Sequence, residues 1–274
     1  MQNILLVGAG QLGSRYLQGL STVKLDLCIT IVDPSDFSLG NAKKRWLEVG
    51  GDKSQHKIRW CKVLPQDLAL IDLAIISTSA GGRADLVKHI SNTVRVSYWV
   101  LEKVLAQSKQ ELNIIHAATT DALGTWVNMA RRVNDWHQQL KFKFYEQGPL
   151  TVKKTGGLWG LACNAIHFID LISWWTGESL LSVNTNRLDR TWLKSKRLGY
   201  FEVIGELLVT FSGGTELILK SQPNVTEDIM YIELSNKNIW EIDEVNYIAF
   251  ESKKDIFKGE FKLQSELTGP MVTK

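Results

Sequence analysis

Residues 4–13, ILLVGAGQLG, constrain the fold of this chain more than any other stretch. A continuous apolar run from Ile4 to Val7 ends at a glycine, and helical spacing starts at once with Leu12, Tyr16, Leu17 and Leu20. That is the pattern of a strand buried on both faces, followed directly by a helix. Gly8-Ala9-Gly10-Gln11-Leu12-Gly13 has GxGxxG spacing between the two. In this setting Gly8 permits the tight turn, Gly10 lets backbone approach a pyrophosphate, and Gly13 lets helix and strand pack closely. Ala9, Gln11 and Leu12 complete the turn. The helix start supplies N–H donors and the positive end of a dipole. The next apolar run, LCITIVD (27–33), ends in Asp33, 20 residues past Gly13. An acid there accepts hydrogen bonds from both adenosine ribose hydroxyls and repels a 2′-phosphate, so NAD is expected and NADP disfavoured. Lys43, Lys44 and Arg45 lie too far along the chain to reverse this.

Strand and helix signals keep alternating after that. AKKRWLEV (42–49) reads as helix, DLAIIST (72–78) as strand, GRADLVKHISNT as helix, and VRVSYWVLEK (94–103) and LNIIHAA (112–118) as two further strands with a short helix between. This predicts an α/β Rossmann domain with a parallel, doubly wound sheet over residues 1–119. The texture then changes. Residues 120–136 read as helix, QLKFKFYEQ (139–147) alternates like a half-exposed strand, and from about 180 the chain runs FEVIGELLVTF, TELILK, MYIEL, WEIDE and NYIAF with turns between. Residues 120–274 are therefore expected to form an α+β domain with a large, mostly antiparallel sheet. The closing KLQSELTGPMVTK stops as though a helix were about to begin, an expectation of C-terminal truncation.

Composition narrows the class. A net charge of +3 is too small to argue for nucleic acid or membrane partners without a clustered patch, and neither is expected. Cys28, Cys61 and Cys163 form neither a disulfide framework nor a CxxC pair, which points to a reducing cytoplasm. The N-terminus has no basic leader, and no apolar run approaches the roughly 20 residues that span a bilayer. Ten tryptophans, spread from Trp46 to Trp240, suggest aromatic packing and pocket walls.

Ligands of doubly wound sheets bind beyond the carboxyl ends of the strands. Two more such ends carry polar groups: Ser77-Thr78-Ser79 after DLAII, and Glu102-Lys103 after SYWVL. A lysine leaving a buried strand either polarises a substrate or snorkels to water. GGLWGLACNAIHFID (156–170) then places Cys163, Asn164, His167 and Asp170 on one helix. The i,i+3 and i,i+4 steps put Cys163, Asn164 and His167 on one side. A metal site needs further ligands of known spacing, and none stands out. A Cys–His nucleophile lacks an oxyanion motif, and Cys163 sits among apolar neighbours that favour an inert thiol. The plain alternative is a core histidine on a helix whose Ile166, Ile169, Leu171 and Trp174 fill the domain. Asp170 reads as structural and Trp159 as a packed side chain. The basic run RLDRTWLKSKR (187–197), with Arg187, Arg190, Lys194, Lys196 and Arg197 around Trp192, reads as a solvated loop or as a contact for an anionic substrate.

GAGQLG, DLAIISTSA, LEKVLAQS and GGLWGLACNAIHFIDLISWWTG together resemble the Gfo/Idh/MocA family, over nearly the whole chain. The resemblance implies a nicotinamide cofactor in the first domain and oxidation or reduction of a sugar, cyclitol or nucleotide-sugar over the second. It also implies a homodimer or homotetramer built through the C-terminal sheet. The family's E-K-P stands here as Glu102-Lys103-Val104, which makes Lys103 the match of the catalytic lysine and His167 that of the catalytic histidine. The family acid four residues before that histidine is replaced by Cys163, with Asn164 beside it as a neutral hydrogen-bonding group. That departure keeps two alternatives open: a catalytically inactive NAD-binding sensor or scaffold, and a biliverdin-reductase-like or imine reductase.

Overall fold

A computed structural model describes residues 1–195, 199–253 and 256–262, with backbone alone for 253 and 256–262. The chain divides into two units, Met1–Asn128 and Met129–Lys274. No helix of the described residues is long and apolar enough to cross a membrane.

The first unit alternates β1 (Gln2–Val7), α1 (Gln11–Leu20), β2 (Leu27–Val32), α2 (Asp36–Glu48), β3 (Lys57–Cys61), β4 (Leu70–Ile76), α3 (Arg83–Thr93), β5 (Arg95–Leu101), α4 (Lys109–Thr119) and β6 (Gly124–Val127). The strands form one parallel sheet in the order β3-β2-β1-β4-β5-β6. That is the order of two mononucleotide-binding halves meeting between β1 and β4. Alternate residues of the central strands serve two cores. Ile4, Leu6, Ile29 and Ile31 pack with Leu17, Ala42 and Trp46 of α1 and α2. Leu5, Val7, Ala74 and Ile76 pack with Ala84, Val87, Ile90 and Ile115 of α3 and α4. Both sheet faces are covered, so the strands read as continuous apolar runs.

The second unit holds α5 (Asp135–Phe144), β7 (Thr151–Gly156), α6 (Leu161–Thr176), β8 (Leu180–Leu188), β9 (Leu193–Lys194), β10 (Phe201–Glu202), β11 (Gly205–Phe211), β12 (Glu216–Ser221), β13 (Ile229–Glu233), β14 (Asn238–Asp243), β15 (Ile248–Lys253) and β16 (Ile256–Lys262). Its large sheet runs β16-β15-β14-β13-β7-β12-β11-β8 and is antiparallel except between β7 and β12; β9 and β10 form a separate ribbon. One sheet face, with Val152, Val209, Leu217, Leu219, Met230, Ile232 and Trp240, packs against Trp136, Leu140 and Phe144 of α5 and Leu161, Phe168 and Trp175 of α6. Phe144 meets both Trp175 and Trp240 at ring separations of 5.1 and 5.6 Å, so the tryptophans of this unit are mainly core. The opposite face presents Lys153, Leu208, Ile218, Tyr231 and Ile239, exposed or half-buried.

Three segments differ from the sequence expectation. Residues 112–118 lie in helix α4, not in a strand. Ser108 accepts the Glu111 N–H at its side chain while Glu111 accepts the Gln107 N–H, a reciprocal cap that starts a helix. Residues 139–147 lie largely in α5, where Trp136, His137, Leu140 and Phe144 are buried at helical spacing and Asn134 caps the start. The apparent alternation came from Lys141 and Lys143 flanking Phe142. Residues 120–136, expected to be helix, instead form β6 and a short 3-10 turn at Ala130–Val133 before α5 begins. The expectation of truncation rests on residues 263–274, which lie outside the described residues.

Candidate functional site

Strand register brings the first unit's polar residues to one level. Val7 is level with Val32 and Ile76, Ile76 with Leu101, and Leu101 with Val127. Gly8, Asp33, Ser77, Glu102 and Asn128 are the next residues on their strands. Each extends the ladder by one N–H bond to the neighbouring strand. Five chain positions far apart in sequence thus form one row at the carboxyl edge of the sheet.

Gly8 has a φ of +92°, open to glycine at no cost, and a Cβ there would touch Thr78 N at 3.0 Å. A Cβ on Gly13 would stand 1.7 Å from the Gly8 carbonyl oxygen, which leaves no room for any side chain. Gly10 differs: a Cβ there would meet nothing within 4 Å. The space over Gly10 is a cradle at the start of α1, where no side chain caps the helix and the first turn holds no acid. An uncapped helix start beside open space suits a phosphate group. Ala9, Gln11 and Leu12 complete this turn.

Asp33 does more than the sequence implied. Its Oδ2 accepts the Ala9 N–H at 2.7 Å and its Oδ1 accepts the Ser35 N–H at 2.9 Å, bracing the glycine turn against the end of β2. Each carboxylate oxygen keeps a second acceptor site. Arg45, distant in sequence, reaches Gln11 Oε1 and Ser14 Oγ, both at 2.5 Å, and so lies against the first turn of α1.

The β4 end is also braced. Ser77 Oγ donates within reach of both the Val7 and Gly8 carbonyls, at 3.0 and 2.6 Å. Thr78 Oγ1 is buried without a hydrogen-bond partner among the described residues, and Ser79 is half-buried. An orphaned hydroxyl beside the glycine turn fits a crevice that takes a polar ligand. Glu102 is 4% exposed, and its Oε1 accepts from Tyr16 Oη and, at 2.7 Å, from Asn128 Nδ2. Burial and the bond to Glu102 push the Tyr16 phenol far above its ordinary range, keeping it a donor. Glu102 therefore serves first to tie α1 and β6 to the end of β5. Lys103 follows it, half-buried, and the Lys103–Val104 peptide is cis.

In the second unit α6 begins at Gly160, in the left-handed conformation at φ 78°. Its core face is Leu161, Ala165, Phe168, Leu171, Ile172 and Trp175. Ile166, expected inside, is exposed, while Ile169 and Trp174 are only partly buried. Cys163 is exposed too, not enclosed by apolar neighbours. The helix repeat turns 163 and 166 away from the stripe set by 161, 165, 168 and 172. Asn164 and His167 are half-buried one turn apart, and Asn164 Nδ2 donates to the Trp159 carbonyl at 2.7 Å. Trp159 packs edge-on against Phe168 and donates to the Lys220 carbonyl. Asp170 forms a bidentate pair with Arg132, a structural tie from the 3-10 turn at Ala130–Val133 to α6.

The sequence matches no family model and no curated protein. Solved structures do match. A dehydrogenase (MviM) from Clostridium difficile is 14% identical, covering 95% of this chain and 82% of its own, with a TM-score of 0.65. A Gfo/Idh/MocA family oxidoreductase from Vibrio cholerae is 15% identical, covering 99% and 84%, at 0.66. The WlbA dehydrogenase from Chromobacterium violaceum, solved with NADH and UDP-GlcNAcA, is 16% identical, covering 97% and 79%, at 0.64. The fold is that of the Gfo/Idh/MocA-type dehydrogenases. At these identities the likeness is one of fold.

Within this Gfo/Idh/MocA-type fold, two residues escaped the sequence reading. Glu202 of β10 accepts the Ala162 N–H at 3.0 Å and so supplies an acid at the start of α6. It stands 40 positions from Ala162, with no local signal. Arg83, at the start of α3, is 1% exposed and points its guanidinium into the β4 and β5 ends. Of the basic run, Arg187 is paired with Glu206 and Trp192 is exposed; Lys196 and Arg197 lie outside the described residues.

Proposed function

We propose that the protein is an NAD-dependent oxidoreductase that transfers a hydride between nicotinamide and a secondary alcohol or ketone of a sugar, cyclitol or nucleotide-sugar. The observation that carries this reading is the open cradle over Gly10, at an uncapped helix start in a sheet of order 3-2-1-4-5-6. Gly8, Ala9, Gly10, Gln11, Leu12 and Gly13 would hold the pyrophosphate, Asp33 the ribose, and Ser77, Thr78, Ser79, Glu102 and Lys103 the second half. Asp33 favours NAD over NADP. When bound, the dinucleotide supplies hydride acceptance and donation.

The chain's own groups handle the proton and the charge. Lys103 contributes a cation that steadies a developing oxyanion. His167 contributes a base for the hydroxyl proton. Asn164 is a hydrogen-bonding group that cannot carry the proton. The WlbA neighbour, a dehydrogenase solved in complex with NADH and UDP-GlcNAcA, supports that substrate class. The unoccluded face of the large sheet supports a homodimer or homotetramer, so light scattering should return a multiple of 30.9 kDa, and a monomer mass would remove that assignment.

Turnover is the test. Wild type should form NADH on a panel of sugars, cyclitols and nucleotide-sugars, and His167→Gln should lower kcat by roughly 10²–10⁴-fold. NAD binding without turnover on any of them would favour the second reading, a redox-inactive scaffold. The exposed Cys163, at the position of the family acid, is what keeps that reading in play.

A further inference from the structure

Arg83 is nearly fully buried at the start of α3, yet its guanidinium serves the ends of two other segments. Nη2 donates to the Thr78 carbonyl. Nη1 lies 2.5 Å from the Glu102 carbonyl, 2.6 Å from that of Val104 and 3.0 Å from that of Leu105. The carbonyls on either side of Lys103, those of residues 102 and 104, are thus held by one planar cation, which also holds the loop after β4. Buried carbonyls must find donors, and a fork of fixed geometry sets their relative positions as well as satisfying them.

The placement is one-sided. In a sheet of order 3-2-1-4-5-6, β1 to β3 form one mononucleotide-binding half and β4 to β6 the other. Asp33 and Ser35 brace the first half, as described above, through the glycine turn. The four Arg83 bonds described above lie on the second, at residues 78, 102, 104 and 105.

We propose that Arg83 is a positioning residue for the second mononucleotide half of the crevice, fixing the Lys103 backbone and the Thr78 turn as one unit. The proposal rests on the dinucleotide reading given above. Its signature is selectivity between two ligands. ADP, which ends at the pyrophosphate, would use the glycine turn and Asp33, whereas NADH would also use the half that Arg83 organises. Lysine at 83 keeps the charge but offers a single nitrogen in place of the fork.

The experiment is a calorimetric titration of wild type and Arg83→Lys with ADP and with NADH, alongside thermal melts. Arg83→Lys should fold, bind ADP within about twofold of wild type, and lose about tenfold or more in NADH affinity, because small misplacements of a positioning group are costly. Equal loss for both ligands, no loss for either, or a variant that does not fold at all would overturn the proposal, since the guanidinium would then serve the whole unit or nothing in particular. A wild type that binds neither ligand would overturn the crevice reading itself. That outcome is distinct, because it appears before any substitution is made.

Discussion

Gly13→Ala is expected to destabilise the first unit by about 3 kcal/mol or more, at or beyond the upper end for an overpacked core. The added Cβ would stand 1.7 Å from the Gly8 carbonyl oxygen and 2.6 Å from Ser77 Oγ. The first contact is with backbone, so a rotamer change cannot relieve it. α1 would have to move off β1, which breaks the packing of Leu17 against Ile4, Leu6 and Ile31. Denaturant melts followed by far-UV circular dichroism measure the effect directly. A melt within about 0.5 kcal/mol of wild type, the range of an ordinary surface change, would contradict this close packing of helix on strand.

The second large effect is expected at Glu244. Its carboxylate takes Arg131 in a bidentate pair at 2.6 and 2.9 Å and lies 3.2 Å from His137 Nε2. Burial works against its charge, but the hydrogen bonds and charges of Arg131 and His137 outweigh that and hold the carboxyl far below the usual range. Arg131 in turn lies over the Phe168 ring at 4.7 Å, joining this pair to α6. Glu244→Gln leaves Arg131 enclosed with no countercharge at this position and should cost about 3 kcal/mol near pH 7. The pH dependence has a definite sign. A carboxyl whose folded pKa is depressed contributes fully above its unfolded value of 4.5 and loses that contribution as pH falls below it. The gap between wild type and Glu244→Gln should therefore stay wide above pH 5 and narrow toward pH 3, as read from urea melts across that range. A gap that widens on acidification would contradict the assignment.

Much of the first unit was legible because its signals are local. The glycine turn, the apolar strands around it and the acid after β2 all lie within thirty-odd residues, and each has a steric or electrostatic reason. The strand ends at Ser77 and Glu102 were legible as positions, but their work was not. Ser77 locks Gly8 and Glu102 receives Tyr16 only because strand register sets them in one row, and register is a property of pairing that no single segment carries. Arg83 and Glu202 were invisible for the same reason, since each acts on backbone that is remote in sequence. The misread segments at 112–118 and 139–147 are short apolar runs, for which periodicity does not separate helix from strand. The caps at Ser108 and Asn134 decided them, and both were present in the sequence as S-K-Q-E and N-D-W-H.

Gly10→Ala most directly tests the proposal that a nicotinamide dinucleotide would lie on the glycine turn. The Cβ meets no protein atom within 4 Å, so the fold should tolerate it within about 1 kcal/mol, the scale of a helix-cap change. The methyl would instead occupy the approach of a pyrophosphate. One hydrogen bond to a charged group is worth about 1.5–3 kcal/mol, so the loss of a single one weakens binding by about tenfold or more. Calorimetric titration with NADH should give a measurable Kd for wild type and a Kd at least that much weaker for Gly10→Ala, with matching melts in the absence of ligand. Equal affinity in the two proteins, or no binding to wild type, would contradict the account.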